Sequence, residues 1–374
     1  MEFDYTPEQL ALQDTLRRFY VRDYPFEHRR SVAQSDEGFD RKAWATFAKI
    51  GILALPFAED YGGLGGNAVD TLLVMEMLGR GLALEPYVGT VVLCGGLIRD
   101  AGSPTQRESL LPAIASGEKL LSFAHYEPGG RYDQERLATT ATANAEGVVL
   151  RGTKSVVLGA AAADALIVSA REGDGASLFL VDRHAPGVQI RGYRTQDGGR
   201  AADIVFSDVP IGADARIGPP AGAAAPIARA LDYARAALCA ESVGIMSVLQ
   251  ELTLEYLKTR RQFGVPIGKF QVLQHRMADM VIATEQARSM ATLAAVRADD
   301  ADATARSRAV AGACAYIGAQ ARFVGQQAVQ LHGGMGVTDE INVAHYFKRL
   351  TMIGLTYGDP DFYLRRFSDG LLAA

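Results

Sequence analysis

Two segments near the C-terminus combine arginines, amides and glycines in a way that could bind a phosphate ester. The first, TRRQFGVPIGKFQVLQHRMADM (259–280), places two arginines directly before a turn that contains Gly264, Pro266 and Gly268. Guanidinium groups and free backbone NH groups both bind pyrophosphate, and Phe263 could lie against an aromatic ring. A helix–helix loop with solvated arginines would contain the same residue types, so both interpretations are open at this point.

The second segment, QLHGGMGVTDE (330–340), is rich in glycine. Gly333, Gly334 and Gly336 would let the backbone approach a ligand closely and would leave NH groups available, while Gln330 supplies an amide. A glycine helix stop has the same appearance, so this segment alone does not establish a binding site.

The histidines and cysteines show no spacing that is typical of a metal site. The cysteines are also odd in number and scattered, which argues against a disulfide framework. The sequence therefore predicts neither a bound metal nor a disulfide. The residues concerned are His125, His275, His332, His345, Cys94, Cys239 and Cys314.

The composition of the 374-residue chain is that of an ordinary globular protein, with 48% hydrophobic residues and a net charge of −5. It has no long block of lysine or arginine and no apolar run of about 18 residues, so neither nucleic acid nor a membrane is an expected partner. The N-terminal stretch MEFDYTPEQLALQ is acidic and polar, unlike a signal peptide. A cytoplasmic location is expected.

Three regions with different sequence patterns must position these residues. Residues 1–118 read as helices, and the first helix is predicted to begin at Pro7 with Thr6 as its N-cap. Residues 119–216 contain short β-rich runs such as GVVLRG and SLFLVDR, which predict a small antiparallel barrel or sandwich. Residues 226–374 show apolar residues at helical spacing over long spans and predict a four-helix bundle. The predicted fold class is α+β, mostly α, and a first bundle helix that is apolar on several faces indicates an oligomer.

Together, at this spacing, the two glycine-containing segments resemble those of the acyl-CoA dehydrogenase family. The resemblance covers the whole chain and includes PFAEDYGGLGG and MEMLGRG in the N-terminal region. It implies a helical domain, a small β domain, a four-helix bundle and FAD as the cofactor. In this family a carboxylate removes the α proton of an acyl-CoA thioester, and the β hydrogen leaves as hydride to the flavin. The electrons then pass to an electron-transferring flavoprotein.

The resemblance also implies roles for individual residues. Six of them match family positions that hold the ADP half of an FAD lying mainly in a neighbouring subunit. These six are Arg260, Phe263, Gln271, Gln330, Gly333 and Gly334. The stretch DYAR resembles the family's D-x-x-R, which contacts the acyl-CoA, so Asp232 and Arg235 are candidate substrate-binding residues. Alternatively, these two form only a surface ion pair at i,i+3.

Both loops at the flavin end depart from the family's pattern. The family's T-E-P-x-x-G-S-D is here HYEPGGRYD, with His125 or Tyr126 and Tyr132 in place of the threonine and serine that bond the isoalloxazine. The family's K-x-W-I-T is here KSVVLG, which begins at Lys154. The single tryptophan, Trp44, lies far away in the first region, so no indole is expected beside the flavin.

The family's catalytic base is missing as well. In GLTYGDPDFY (354–363), the position that carries a glutamate in the family is Gly358. Relatives that place the glutamate on the first bundle helix would have it at Ala234. Neither residue can take a proton. Two carboxylates remain as candidates: Asp359, one place later, and Glu241, about two turns beyond Ala234.

An intact ADP-holding half together with a missing base is the arrangement of the heteromeric acyl-CoA dehydrogenases. Among these the chain most resembles the small subunit of pimeloyl-CoA dehydrogenase, through FVGQQAVQLHGGMGVTDE, HYFKRLTMI and YGDPD. The resemblance implies a larger acyl-CoA dehydrogenase subunit as partner in an α2β2 complex. That partner would supply the base, and the substrate would be pimeloyl-CoA, another dicarboxylyl-CoA or a steroid-derived CoA. The alternatives are a self-sufficient homotetramer that uses Asp359 and a non-catalytic scaffold subunit.

Overall fold

The computed structural model of the chain describes residues 5–144 and 147–372. Helices occupy both ends of the chain and strands its middle, which confirms the predicted order of a helical, a β and a second helical region. The helices of the first region are α1 (Pro7–Arg22), α2 (Phe26–Gln34), α3 (Arg41–Ile50), α4 (Ala68–Gly81), α5 (Gly96–Ala101) and α6 (Pro104–Ala115), with a π-helical segment at Val88–Gly95.

Helix α1 begins at Pro7, as predicted, because its first turn is capped on both sides. The Thr6 hydroxyl accepts a hydrogen bond from the backbone NH of Gln9 at 3.2 Å. The Gln9 side chain in turn accepts one from the Thr6 NH at 2.9 Å. This reciprocal arrangement satisfies two NH groups that the start of a helix would otherwise leave without partners.

The middle region forms one sheet in the strand order β6-β7-β3-β2-β4-β5-β8, with β1 pairing parallel to β4. Its core is built by inward-facing residues such as Leu150, Val168, Phe179 and Ile204, all fully buried. The strands are β1 (Leu121–Ala124), β2 (Thr140–Asn144), β3 (Gly147–Leu158), β4 (Ala165–Glu172), β5 (Gly175–Asp182), β6 (Val188–Arg194), β7 (Arg200–Gly212) and β8 (Arg216–Ile217).

The predicted β-barrel is not formed by the described residues. The strand order ends at β6 on one side and at β8 on the other, and no pairing joins these two strands. Strand β8 has only two residues, which pair with Leu178 and Phe179 of β5. A strand this short continues the sheet for one step only, so the sheet stays open.

The C-terminal region consists of long helices. They are α7 (Ala224–Thr259), α8 (Gln271–Ala298), α9 (Ala303–His332), α10 (Asn342–Ile353) and α11 (Pro360–Leu372), and a short hairpin of β9 (Arg261–Gln262) and β10 (Val265–Pro266) joins the first two. Helix α9 packs against α8, α10 and α11. The C-terminal part of the predicted bundle consists of two helices, α10 and α11, and residues 354–359 separate them.

The described chain divides into two compact units, and the division falls inside α7. One unit contains the described residues of Met1–Arg30, Ala68–Ala83 and Arg235–Ala374, and the other contains Ser31–Asn67 and Leu84–Ala234. Contrary to expectation, α7 is long and apolar enough to cross a membrane. However, 67% of its most apolar 18-residue stretch is buried inside the protein. One such helix is weak evidence for a membrane span, because the core helix of a soluble protein passes the same test.

Candidate functional site

A cavity of about 330 Å³ brings together residues from both glycine-containing segments. It lies at the end of α7, the start of α8 and the end of α9. Arg260, Gln330 and Gly333, three of the six residues assigned to the ADP half of FAD, line it. The tertiary fold thus places an arginine, an amide and a glycine turn around one space, although 70 residues separate them in the sequence.

Local structure explains why these groups face the cavity. Arg260 directly follows α7, and its carbonyl accepts a hydrogen bond from the Ile267 NH at 2.8 Å, which closes the β9–β10 hairpin against the helix end. Gly333 ends α9 with a φ of +60°, a backbone conformation that favours glycine. A Cβ added at Gly333 or at Gly334 would meet no atom within 4 Å, so the backbone there has open space in front of it.

The other assigned residues lie outside the cavity lining. Phe263 is 90% exposed and occupies the two-residue turn of the hairpin at a φ of +52°, which is rare for a bulky side chain. Its ring meets Phe270 edge-on at 6.0 Å. Gln271 is exposed at the first position of α8. Phe263, Gln271 and Gly334 therefore all lie on the surface of the chain.

A stacked aromatic pair forms one wall of the cavity and was not anticipated from the sequence. The rings of Tyr256 and His332 lie 4.4 Å apart at an angle of 27°. Burial lowers the pKa of His332, and its Nδ1 lies 2.8 Å from the Ala328 carbonyl oxygen. The imidazole is therefore neutral at pH 7, and this wall is uncharged.

A second cavity, around the position of the missing base, is small. Its volume is about 30 Å³, and it is lined by Arg235, Cys239, Cys314, Gly358 and Tyr363, among others. This space holds a water molecule or two, whereas ligand sites measure about 300–1,000 Å³. As it stands, the space around residue 358 cannot accept an acyl chain.

Tyr363 is the residue that closes the base position. A Cβ built on Gly358 would lie 2.3 Å from Cζ and 2.6 Å from the hydroxyl oxygen of Tyr363, and the φ of Gly358 is +151°. The Arg235 guanidinium lies 5.5 Å from the centroid of the same ring and donates a hydrogen bond to the Tyr357 carbonyl at 3.1 Å. Only glycine fits at residue 358, and Arg235 is held by its own chain.

The remaining candidate residues are engaged in structural contacts. Asp359 accepts a hydrogen bond from the Phe362 NH at 2.8 Å, which caps the start of α11. Glu241 is 4% exposed, and both of its oxygens bind Arg349, at 2.6 and 2.9 Å. Asp232 and Arg235 are each only 2% exposed, so they are not the solvated surface pair of the alternative interpretation.

The two loops at the flavin end are joined by a buried ion pair between Lys154 and Glu127 at 2.7 Å. Glu127 also accepts hydrogen bonds from the backbone NH groups of Ala138 and Thr139, at 2.6 and 3.0 Å. Burial lowers the pKa of Lys154 to about 8 even though Glu127 opposes the shift. Burial alone would raise the pKa of Glu127, but the charge and hydrogen bonds of its partners bring it below its usual value. This network attaches the segment around Glu127 to strand β3, which contains Lys154.

The side chains at the positions of the family's flavin contacts differ in exposure. His125 is buried, stacks on Phe123 at 5.1 Å, and has its Nδ1 2.8 Å from the Ser169 hydroxyl. Val156, at the position of the family's tryptophan, is 55% exposed at a bulge in β3 with a φ of +53°. The indole of Trp44 is buried and donates a hydrogen bond to the Gly117 carbonyl at 3.1 Å.

Comparison with protein-family models matches the chain in three consecutive parts. The model described as "Acyl-CoA dehydrogenase, N-terminal domain" matches residues 6–118, the middle-domain model residues 122–209 and the C-terminal-domain model residues 222–366. The mitochondrial short-chain specific acyl-CoA dehydrogenase of Homo sapiens is 31% identical over 316 residues, which are 81% of this chain and 76% of that protein.

Two similar solved structures each carry the names of two proteins. A variant of the Tcur3481–Tcur3483 steroid ACAD is 31% identical with a TM-score of 0.89, over 98% of both chains. The ChsE4–ChsE5 complex from Mycobacterium tuberculosis is 28% identical with a TM-score of 0.91, over the full length of both chains.

Proposed function

Because this chain belongs to the acyl-CoA dehydrogenase family, whose members are FAD-dependent oxidoreductases that act on acyl-CoA, we propose that it works as one subunit of a heteromeric acyl-CoA dehydrogenase. In this proposal it contributes residues for the ADP half of FAD, and a larger partner subunit supplies the catalytic base. The complex has the composition α2β2, and its location is the cytoplasm.

One observation carries the proposal. The position of the catalytic glutamate is Gly358, and Tyr363 occupies the space that a side chain there would need. In the same unit of the chain, the cavity at Arg260 and Gln330 is open and about ten times larger. A base position without a carboxylate and without room for one, in the same unit as an open cavity of about 330 Å³, suits a chain that completes a partner's site.

The residues fit the ADP half of FAD by their chemistry. Arg260 supplies a positive charge for a pyrophosphate, Gln330 an amide, and Gly333 and Gly334 a backbone that a ligand can approach closely. Bound FAD would supply the acceptor for the hydride that leaves the β carbon of the acyl-CoA. The partner's carboxylate takes the α proton, because the two candidate carboxylates of this chain, Asp359 and Glu241, hold structural contacts.

The similar complexes support the heteromeric assembly and one substrate class. The names of both solved structures join two different proteins, and one of them is called a steroid ACAD. We therefore propose an acyl-CoA with a steroid-derived or dicarboxylyl chain, such as pimeloyl-CoA, as the substrate. An electron-transferring flavoprotein is the proposed electron acceptor. The partner subunit selects the acyl chain, since the cavity at Gly358 has a volume of only about 30 Å³.

The visible spectrum of the purified protein tests the proposal. We expect the chain to be colourless when it is produced alone. Co-expression with a longer paralogue that retains the glutamate should give a yellow complex, and an acyl-CoA should bleach its flavin absorbance. A chain that is yellow and bleached by acyl-CoA on its own would overturn the proposal. A partner that is fully active without this chain would make it a scaffold instead.

A further inference from the structure

A second arginine, Arg276, lines the same cavity as Arg260. It lies in the second turn of α8, is partly buried, and was not singled out by any sequence pattern. Arg260 approaches the cavity from the end of α7, so the two positive charges reach it from different helices. The other residues that line the cavity are apolar or neutral, and the lowered pKa of His332 keeps its imidazole uncharged.

Among the described residues, neither Arg260 nor Arg276 forms an ion pair with a carboxylate. Other arginines of the same unit do so: Arg80 pairs with Glu251 at 2.9 Å, and Arg349 pairs with Glu241 at 2.6 Å. Two uncompensated guanidinium groups around one cavity repel each other, and an anion that lies between them removes this repulsion. A group with two negative charges matches this cavity better than a single carboxylate does.

Arg276 is held in place by a neutral partner. Its Nη1 donates a hydrogen bond of 3.0 Å to the side-chain oxygen of Gln327, which lies almost one turn before Gln330 on α9. An amide acceptor uses one of the five NH groups of the guanidinium and leaves its charge intact. The contact therefore orients Arg276 without neutralising it, as a phosphate-binding arginine requires.

We propose that Arg276 is a second binding residue for the pyrophosphate of the adenine dinucleotide, and that Gln327 is its positioning residue. This inference rests on the proposed function, because it concerns the cavity assigned there to the ADP half of FAD. Arg260, at the end of α7, and Arg276, in α8, then bind the two phosphates, and Gln330 and the backbone at Gly333 line the same cavity.

Calorimetric titration of the full-length chain with ADP, and with adenosine as the probe that lacks phosphate, tests the inference. Arg276→Gln should weaken ADP binding about tenfold and should make it less dependent on salt, because one charge-assisted contact is lost. Adenosine binding should not change. Arg322→Gln, which removes the same charge from an exposed position on α9 outside the cavity lining, should bind ADP like the wild type.

Variants at Gln327 separate positioning from simple structural support. Gln327→Glu places a carboxylate on Arg276, so it should weaken ADP binding about as much as Arg276→Gln, while the thermal unfolding midpoint without nucleotide stays the same. Arg276→Lys should recover part of the affinity. If Arg260→Gln loses ADP binding and Arg276→Gln keeps it, the inference is overturned and the proposed function stands. If the wild type alone binds no ADP, the inference is overturned, whereas the proposed function is decided by the flavin content of the heteromeric complex.

Discussion

The ring of Tyr363 occupies the space into which a side chain at residue 358 would project, with its Cζ 2.3 Å from the position of a Cβ on Gly358. Tyr363 is itself buried and lies under the Arg235 guanidinium. The chain has thus lost more than the carboxylate of its family's base, because neighbouring residues have taken up the room that the carboxylate would need. Restoring the residue does not restore the site.

The variant Gly358→Glu should therefore destabilise the protein without adding a base. The φ of +151° and the contact with Tyr363 would force a backbone or ring movement, at a cost of roughly 1–3 kcal/mol in the free energy of unfolding. Denaturant titration measures this cost. Gly354→Ala is the control, because a Cβ there comes no closer than 3.4 Å to any atom. A Gly358→Glu protein with wild-type stability and new dehydrogenase activity would contradict this account.

Asp359 should act as a helix cap and not as a base. Asp359→Ala removes the acceptor for the Phe362 NH and should lower the free energy of unfolding by about 1 kcal/mol, whereas Asp359→Ser should keep most of the stability. Serine has no carboxylate, so the activity of the heteromeric complex should survive Asp359→Ser. A loss of turnover by several orders of magnitude with retained stability would identify Asp359 as the base of a self-sufficient enzyme.

The buried pair of Lys154 and Glu127 should make stability depend on pH above neutrality. The pKa of Lys154 is about 8 in the folded protein and 10.5 for an ordinary lysine. Between these values the unfolded chain binds more protons than the folded chain, so this group raises the free energy of unfolding with pH by up to about 1.4 kcal/mol per unit. Below pH 8 both states are protonated and the contribution is constant.

Comparison of the wild type with Lys154→Met isolates this effect. At neutral pH the variant loses the hydrogen bonds of the Lys154 Nζ, but it also avoids the cost of burying a charge, which the lowered pKa shows to be larger than the gain from pairing with Glu127. The free energy of unfolding of the wild type, relative to that of the variant, should rise between pH 8 and 10.5 in urea titrations. A relative stability that stays level or falls over this range would show that Lys154 is not held with a lowered pKa.

Local signals in the sequence were sufficient for some parts of the fold. The Thr6–Pro7 pair predicted the start of α1, and the Asp359–Pro360 pair is the same kind of signal for α11, although it was interpreted only as a displaced base. The open sheet could not be predicted in this way. Whether β6 and β8 meet depends on register and strand length across the whole sheet, which no local pattern encodes.

Some residues of the candidate site could likewise be predicted from the sequence, and others could not. The resemblance supplied Arg260, Gln330 and Gly333, and the fold brings them to one cavity. Arg276 and Tyr363 could not be predicted from the sequence. Arg276 contacts Gln327, which is distant in the sequence, and Tyr363 contacts Gly358 across a turn. An arginine in a helix and a tyrosine near a C-terminus are unremarkable until the packing of α8, α9 and α11 is known.

The last prediction concerns the charge at Arg260. In the heteromeric complex, Arg260→Gln should lower FAD retention about tenfold or more, because a guanidinium that lines the cavity no longer faces the pyrophosphate. Flavin content after gel filtration at two salt concentrations measures the effect. Lys258→Gln is the matched control, since it removes a positive charge from the same last turn of α7 at an exposed position outside the cavity lining. Equal flavin loss in both variants would point to general electrostatics and remove the specific role of Arg260.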